Sequence, residues 1–138
     1  MYQWERIRAM SEYTLQNMKE VEDQALKFGL SPDLEARFAR VPLEAELIGI
    51  TYQRLAPNFR LPWGHTHKTQ EEVFLLVGGS ARFKVGDDIL ELEPWDAVRV
   101  RKDAVRSFEA GPEGAEFIVV GCPGGPGDAE NVENWWTD

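Results

Sequence analysis

Apolar and polar side chains alternate over several short runs in the second half of the chain. Phe83 and Val85 alternate with Arg82 and Lys84, and residues 97–101 repeat this pattern with valine and arginine. Because successive side chains of a strand point to opposite faces, each run predicts a strand with one buried and one wet face. The hydrophobic pattern of this half therefore indicates antiparallel β structure.

The predicted strands are short, and turn signals separate them at regular intervals. Glycine, proline and aspartate cluster at Gly78-Gly79-Ser80, at Gly86-Asp87-Asp88 and at 111–114, where we expect turns. Several short strands at this spacing predict a sandwich or barrel, and hence an all-β fold. The predicted strands are Leu47–Leu55, Glu72–Val77, Ala81–Val85, Ile89–Leu92, Ala97–Arg101, Val105–Ala110 and Ala115–Cys122.

Two of the predicted segments are apolar on both faces, in contrast to their neighbours. They are Glu72–Val77 and Phe117–Cys122. A strand of this kind needs cover on its outer face as well as a core on its inner face. The N-terminal segment or a second subunit could provide that cover, and we expect a homodimer.

Residues 1–40 form a predicted N-terminal helical segment that packs on the barrel or on the dimer partner. Ser11–Phe28 has no proline and has apolar residues at spacings of three and four, which predicts a helix. Ser11 is its expected N-cap, and Gly29 is its expected stop. Ser31-Pro32-Asp33 predicts a second short helix, with serine as the cap and proline at the first position.

Residues 41–122 form the predicted barrel, and residues 123–138 form a predicted flexible C-terminal tail. The tail opens with five consecutive proline and glycine residues, a density that argues against regular structure. It ends near Trp135-Trp136. Because two exposed indoles would leave a large apolar area in water, we expect the pair to dock on the protein's own surface or on its partner.

The composition is typical of one globular domain. The chain has 138 residues, of which 43% are hydrophobic and 28% charged. Its net charge of −9 argues against nucleic acid and anionic membranes as partners, since both attract clustered lysine and arginine. Cys122 is the single cysteine, which excludes an internal disulfide, and no apolar run reaches transmembrane length. We therefore expect a cytoplasmic protein.

Both histidines of the chain, His65 and His67, are one residue apart and are followed closely by Glu71 and Glu72. Residues at this spacing share a face of a strand, so the two imidazoles can converge on one point. Imidazole nitrogen and carboxylate oxygen are ligands for zinc, iron, nickel and manganese. The pattern predicts a divalent-metal site at the mouth of a barrel; the alternative is a pair of surface histidines in a loop. Alternation along the following strand does not decide between the two glutamates.

This stretch resembles the first motif of the cupin superfamily. The motif consists of a glycine, five residues, His-x-His, three or four residues, a glutamate, six residues and a second glycine. His65-Thr66-His67, Glu72 and Gly79 match the four-residue variant, which we prefer, and Glu71 with Gly78 matches the three-residue variant. Phe59 replaces the glycine that opens the motif. The resemblance implies a double-stranded β-helix, the jelly-roll barrel of cupins. It also implies that His65, His67 and Glu72 are the metal ligands.

The second cupin motif is matched in part. Glu93-Pro94-Trp95-Asp96 resembles its turn, with Trp95 in place of glycine, and Arg106 stands where the family has a third histidine. Because arginine cannot coordinate a metal, the resemblance implies three protein ligands and several open positions, as in non-haem iron oxygenases. A guanidinium beside the site also repels a dication, so a metal-free pocket is the alternative.

Arg106 is predicted to face inward, because it alternates along a strand with the core residue Phe108. A buried arginine needs an anionic partner. We expect either a salt bridge to Glu71 or Glu72 or a bidentate clamp on a substrate carboxylate. Trp63, Glu71 and Arg106 are the candidate substrate-binding residues.

The resemblance implies a metal-dependent enzyme that acts on a small anionic molecule, of the dioxygenase or isomerase type. Its expected cofactor is one divalent ion of iron, manganese, nickel or zinc, and its expected ligand is a small molecule such as a carboxylate. Cupin folds carry many functions, so the fold does not select one. The alternative is a non-catalytic small-molecule-binding protein with weak or no metal, since no nucleophile and no general base beyond Glu71 stand out.

Overall fold

A computed structural model describes residues 12–138, and eight strands within this part of the chain form one antiparallel sheet. Two 3-10 helices precede the strands, and one short α-helix, α1, follows the first strand. None of the helices in residues 12–138 is long and apolar enough to cross a membrane. The 3-10 helices are Met18–Glu20 and Ala25–Phe28, α1 is Arg40–Leu43, and the strands are β1 (Leu34–Phe38), β2 (Gly49–Leu55), β3 (Gly64–His67), β4 (Glu72–Val85), β5 (Asp88–Leu92), β6 (Ala97–Val100), β7 (Arg106–Gly121) and β8 (Ala129–Val132).

Strand β7 connects the two halves of the sheet. One edge of β7 pairs with β4 along its whole length, and the other edge pairs with β2 in its C-terminal half and with β3 at its N-terminal end. The strand order is β1-β2-β7-β3-β8, and β4 also pairs with β5 and β6. This shared use of β7 curls the sheet into a jelly-roll barrel, as the sequence predicts.

Two predicted turns lie inside long strands instead. Gly78-Gly79-Ser80 belongs to β4 and residues 111–114 belong to β7, where the register of the β4–β7 pair shifts on both sides of Gly79. Gly79 has φ +75°, and a Cβ there would lie 2.0 Å from the carbonyl oxygen of Gly114. The glycines therefore bend both strands together at a β-bulge, and the prediction of turns at these two positions is wrong.

Aromatic side chains fill the barrel. Phe74, Phe83, Phe108 and Phe117 are almost completely buried, and the ring centroids of Phe74 and Phe83 are 4.8 Å apart. All four project from β4 and β7, whose inner faces carry the apolar residues of the alternating pattern. Side chains of this size bury roughly 150–250 Å² each, so the rings supply much of the apolar area that stabilises the barrel.

The N-terminal segment is less helical than predicted. Of the predicted helix Ser11–Phe28, only the two 3-10 helices form among the described residues; Ser11 lies outside them. Leu15, on the predicted apolar stripe, is 91% exposed, so no apolar helix face is buried there. The second predicted helix is wrong, because Leu34 and Ala36 alternate into the core as β1, paired with β2. The limits of the three predicted segments stay a prediction.

The C-terminal residues contribute a strand and cover β4. Residues 129–132 form β8, which pairs with β3, although we expected no regular structure after residue 122. The ammonium nitrogen of Lys84 lies 4.4 Å from the centroid of the Trp135 ring. The same ammonium group donates a hydrogen bond to the backbone carbonyl oxygen of Trp135. Lys84 is thus buried, not on a wet face as its alternation predicts. The indole of Trp136 donates to the carbonyl oxygen of Leu61, so both tryptophans dock on the protein itself.

The outer faces of β4 and β7 carry the apolar residues that suggested a dimer. Leu75 is the Cα partner of Ile118, and Val73 is the partner of Val120, which is 38% exposed. Tyr52 of β2 joins this face and is buried, with its hydroxyl donating to Glu116. The homodimer itself stays a prediction.

If a second copy covers this face, light scattering should give twice the monomer mass at micromolar concentration, and Val120→Glu should give the monomer mass. The introduced carboxylate would lose its hydration in the interface without gaining a positively charged or hydrogen-bonding partner. Ile89→Glu is the matched control, because Ile89 is 43% exposed and lies on β5. A wild-type protein that remains monomeric would contradict the dimer.

Candidate functional site

Strand β3 presents both imidazoles to the mouth of the barrel. His65 and His67 project from the same face of β3, with ring centroids 5.1 Å apart. Pairing with β8 along all of β3 holds the strand in place, and His65 is also the Cα partner of Arg106 on β7. At Gly64 an added Cβ would meet the Trp135 ring at 2.8 Å, so the glycine allows the C-terminal segment to pack directly on β3.

Glu72, the first residue of β4, completes the cluster. Its Oε1 lies 3.2 Å from Nε2 of His67 and 3.7 Å from Nε2 of His65. One ligand atom from each of the three residues lies within 4.8 Å of the other two. The structure therefore brings together the three residues predicted as metal ligands.

Glu71 lies on the opposite face of the chain. Its carboxylate forms an ion pair with Arg99 of β6 at 3.0 Å, and its side chain is 58% exposed. The prediction that Glu71 lines the substrate pocket is wrong, because the alternation of β4 turns Glu72 inward and Glu71 outward. Trp63, the third candidate, does line the cavity beside the histidines.

Asp128 orients His67 and was not found by sequence reasoning. Its Oδ2 lies 2.8 Å from Nδ1 of His67, and its Oδ1 accepts hydrogen bonds from the backbone N–H and the hydroxyl of Thr69. A proton on Nδ1 would point at Asp128, so Nε2 would be left as the lone-pair nitrogen facing Glu72. Asp128 lies in the glycine-rich stretch before β8, where no local pattern distinguishes it from the chain's other acidic residues.

The charges of the cluster favour an ionised carboxylate. Burial alone would raise the pKa of Glu72, but the neighbouring imidazoles of His65 and His67 and the charge of Arg106 lower the pKa well below its usual range. Burial would lower the pKa of His67, whereas Glu72 and Asp128 raise it above the usual 6.5. The lowered pKa favours the ionised form of the Glu72 carboxyl group.

Arg106 forms a buried ion pair with Glu72. Its side chain is completely buried, and its Nη2 donates to Oε1 of Glu72 at 2.8 Å. Its Nη1 donates to the carbonyl oxygens of Ala104 and Lys102 at 2.8 and 3.2 Å. Of the two roles expected for Arg106, the structure shows the salt bridge. With no exposed surface, the guanidinium has no face turned toward the cavity.

The donor set fits a divalent metal. Two imidazole nitrogens and one carboxylate oxygen face a common point, a combination that iron, manganese, nickel and zinc accept. Gln70 donates to Oε2 of Glu72 at 2.9 Å, and Asp128 bonds the ring nitrogen of His67 that faces away from the cluster. Hydrogen bonds to the far side of each ligand are typical of protein metal sites. His65, His67 and Glu72 would hold the metal, and the remaining coordination positions would face the cavity.

The cavity next to this cluster has a volume of about 470 Å³. It extends between the inner faces of β1, β2, β4 and β7, and most of its lining side chains are apolar. The titratable side chains among its described lining residues are Arg40, His65, His67 and Glu72. A ligand bound here would therefore meet few ionisable groups and a largely apolar wall.

Asp128→Asn is expected to weaken metal binding about 10- to 100-fold at neutral pH, because the ring of His67 loses its charged acceptor. In the wild type, protons compete with the metal for His67, and because its pKa is raised, affinity should begin to fall while the pH is still above 6.5. In Asp128→Asn this onset should move to lower pH. Titration calorimetry with Zn²⁺ over a range of pH measures both effects.

Glu130→Gln is the matched control, because Glu130 lies on β8 in an exposed ion pair with Lys68. The control should bind Zn²⁺ as the wild type does. If Asp128→Asn binds zinc with unchanged affinity and an unchanged pH profile, Asp128 does not orient a metal ligand.

Arg106→His is expected to remove the ion pair with Glu72 and to add an imidazole that can bind a metal. His65 and Arg106 are Cα partners, so an imidazole at 106 would lie beside the cluster. Without metal the variant should lose about 3–5 kcal/mol of stability, because Glu72 loses its buried cation. Zn²⁺ should restore its Tm and bind more tightly than to the wild type. The control Arg106→Met should lose stability without this recovery, and equal zinc affinities of Arg106→His and wild type would contradict the alignment of the second motif.

No family model matches the chain, and no curated protein matches it in sequence. Its fold is similar to that of the polyketide cyclase RemF from Streptomyces resistomycificus, with a TM-score of 0.70, 18% identity, and coverage of 91% of this chain and 87% of the cyclase. A cupin protein from Bacteroides fragilis gives a TM-score of 0.63 at 15% identity, with coverage of 94% and 91%.

Oxalate decarboxylase from Bacillus subtilis gives a TM-score of 0.69 at 24% identity. The match covers 88% of this chain but 34% of the decarboxylase, so the chain corresponds to about one third of that protein. The similarity extends over the whole barrel, and the His-His-Glu cluster lies at the position that the first motif predicts. The chain therefore has the fold of these solved structures, a single jelly-roll barrel like that of the cupin protein from Bacteroides fragilis.

Proposed function

We propose that this protein is a divalent-metal-dependent enzyme that acts on a small organic anion. The observation that carries the proposal is the convergence of His65, His67 and Glu72 at one end of a 470 Å³ cavity. Similar folds include a polyketide cyclase and an oxalate decarboxylase, so enzymes are found among the structural neighbours.

The chain's own residues would hold and isolate the reacting end of the ligand. His65, His67 and Glu72 would bind the metal, which would act as a Lewis acid on a carbonyl or carboxylate oxygen. Glu72 remains ionised, and Arg106 holds it in place. The apolar walls would exclude water and so strengthen each electrostatic interaction at the site.

An isomerisation or cyclisation is the reaction type that we favour. Both can be driven by polarisation of a carbonyl group and need no second substrate. An oxygen-dependent reaction is the other type that three protein ligands and open positions would allow. The two types differ in whether they consume oxygen.

A non-catalytic binding protein is the second candidate, and one observation favours it. Apart from Arg40 and the three expected ligands, no titratable side chain is found among the described residues that line the cavity. A proton transfer would therefore need a metal ligand, a ligand group or water as the base. Binding alone makes no such demand.

The metal site is tested by loading the protein anaerobically with Fe²⁺, Mn²⁺, Ni²⁺ or Zn²⁺ and measuring bound metal by mass spectrometry. His65→Ala and His67→Ala should each lose most of the metal, because two ligands are too few. Thr66→Ala is the matched control, since Thr66 lies between them on β3 and projects from the other face. Equal metal content in the wild type and both histidine variants would overturn the site.

Catalysis is tested by incubating each metal form with β-keto acids and hydroxyaromatic acids, while mass spectrometry follows products and an electrode follows oxygen. Turnover by the wild type that is lost in His67→Ala is the expected result. Oxygen consumption would identify the oxygen-dependent type. Ligand binding without turnover in every metal form would favour the binding protein.

A further inference from the structure

The cavity walls have a chemistry that the metal ligands do not explain. The inner faces of β1, β2, β4 and β7 supply apolar side chains such as Leu34, Ala36, Phe74 and Val119. Phe28 and Leu30 extend this lining beyond β1. A small hydrophilic anion would fill only the end near the histidines and would leave most of this apolar surface against water.

A glycine row keeps the cavity open beside Glu72. Glu72, Gly121 and Gly49 are Cα partners in one row across β4, β7 and β2. At Gly49 an added Cβ would meet only the carbonyl oxygen of Gly121, at 3.6 Å. The absence of a side chain there leaves room for a flat or extended group to pass from the metal site toward the middle of the barrel.

Gln53 lies deeper in the cavity on the same face of β2. It follows Gly49 by four residues, which corresponds to about 13 Å along a strand. Its Oε1 is buried and has no hydrogen-bond partner among the described residues. A buried polar atom without a partner is costly, and the terminal amide torsion of glutamine is soft, so a ligand group in the cavity could turn the amide and bond to it.

We propose that the ligand is an apolar molecule of about two fused rings, or an acyl chain of similar size, with polar groups at both ends. Two oxygen donors at one end would chelate the metal held by His65, His67 and Glu72. A hydroxyl or amide N–H at the other end would donate to Gln53. The inference rests on the proposed function, to which it adds the class of ligand and the residue that selects it.

Three probes that share one chelating end test this ligand class: salicylate, 3-hydroxy-2-naphthoate and 3,7-dihydroxy-2-naphthoate. Titration calorimetry with the Mn²⁺-loaded protein measures their affinities. The second ring should tighten binding about tenfold, because it buries further apolar area. The distal hydroxyl should add about fivefold through Gln53.

Two variants assign these gains to residues. Gln53→Met keeps the length of the side chain and should abolish the preference for the dihydroxy probe, while 3-hydroxy-2-naphthoate still binds. Gly49→Val should weaken both naphthoates more than salicylate, since it narrows the passage. Gly125→Val is the matched control; Gly125 has open space around its Cα and does not line the cavity.

The same titrations on metal-free protein separate the two proposals. Salicylate affinity that does not depend on metal would overturn the proposed function, whereas the naphthoate gain could still hold. In the wild type, equal affinities for salicylate and 3-hydroxy-2-naphthoate would overturn the ligand class even if the metal binds. An unchanged preference for the dihydroxy probe in Gln53→Met would overturn the role of Gln53.

Discussion

The buried ion pair between Arg106 and Glu72 is the constraint on which the site depends. A guanidinium with no exposed surface depends on partners inside the protein, and its two terminal nitrogens donate to one carboxylate oxygen and to backbone carbonyl oxygens of residues 101–104, whereas its Nε has no partner among the described residues. These bonds tie the start of β7 to the start of β4 and to the loop before β7. Glu72 is thereby fixed in an orientation that the histidines alone could not impose. The guanidinium of Arg106 thus orients the Glu72 carboxylate and offsets part of its charge.

The ion pair also sets a limit on how strongly the cluster can attract a metal. Glu72 divides its charge between Arg106, the two imidazoles and any bound cation, and the guanidinium repels a dication. Asp128 acts in the opposite direction, because its negative charge lies behind His67. If the proposed metal binds, the balance of these two charges, one buried on β7 and one in the segment before β8, would set how readily the ion exchanges.

Local patterns predicted the barrel and most of the site, because the relevant residues lie within single strands. Alternation along β3 and β7 placed His65, His67 and Arg106 on inward faces, whereas the cupin spacing allowed both Glu71 and Glu72 and only favoured Glu72. Contacts between residues distant in sequence escaped prediction. Asp128 reaches His67 across 61 residues, and Lys84 is buried only because Trp135 packs on it. The conformation of Trp95 also escaped prediction. Its φ is +78° in a turn where the family motif has glycine, and residue propensities do not assign a positive φ to tryptophan.

The place of Asp128 in the chain has a consequence for the order in which the protein matures. A ribosome makes His67 61 residues before Asp128, and at about 5–20 residues per second this interval lasts roughly 3–12 s. During that time the growing chain contains both imidazoles and Glu72 but not the carboxylate that orients one of them, nor the strand that pairs along β3. An ion captured by the nascent chain would meet a flexible, incomplete site. In the proposed metal-binding role, the choice of ion would therefore follow the addition of Asp128 and β8.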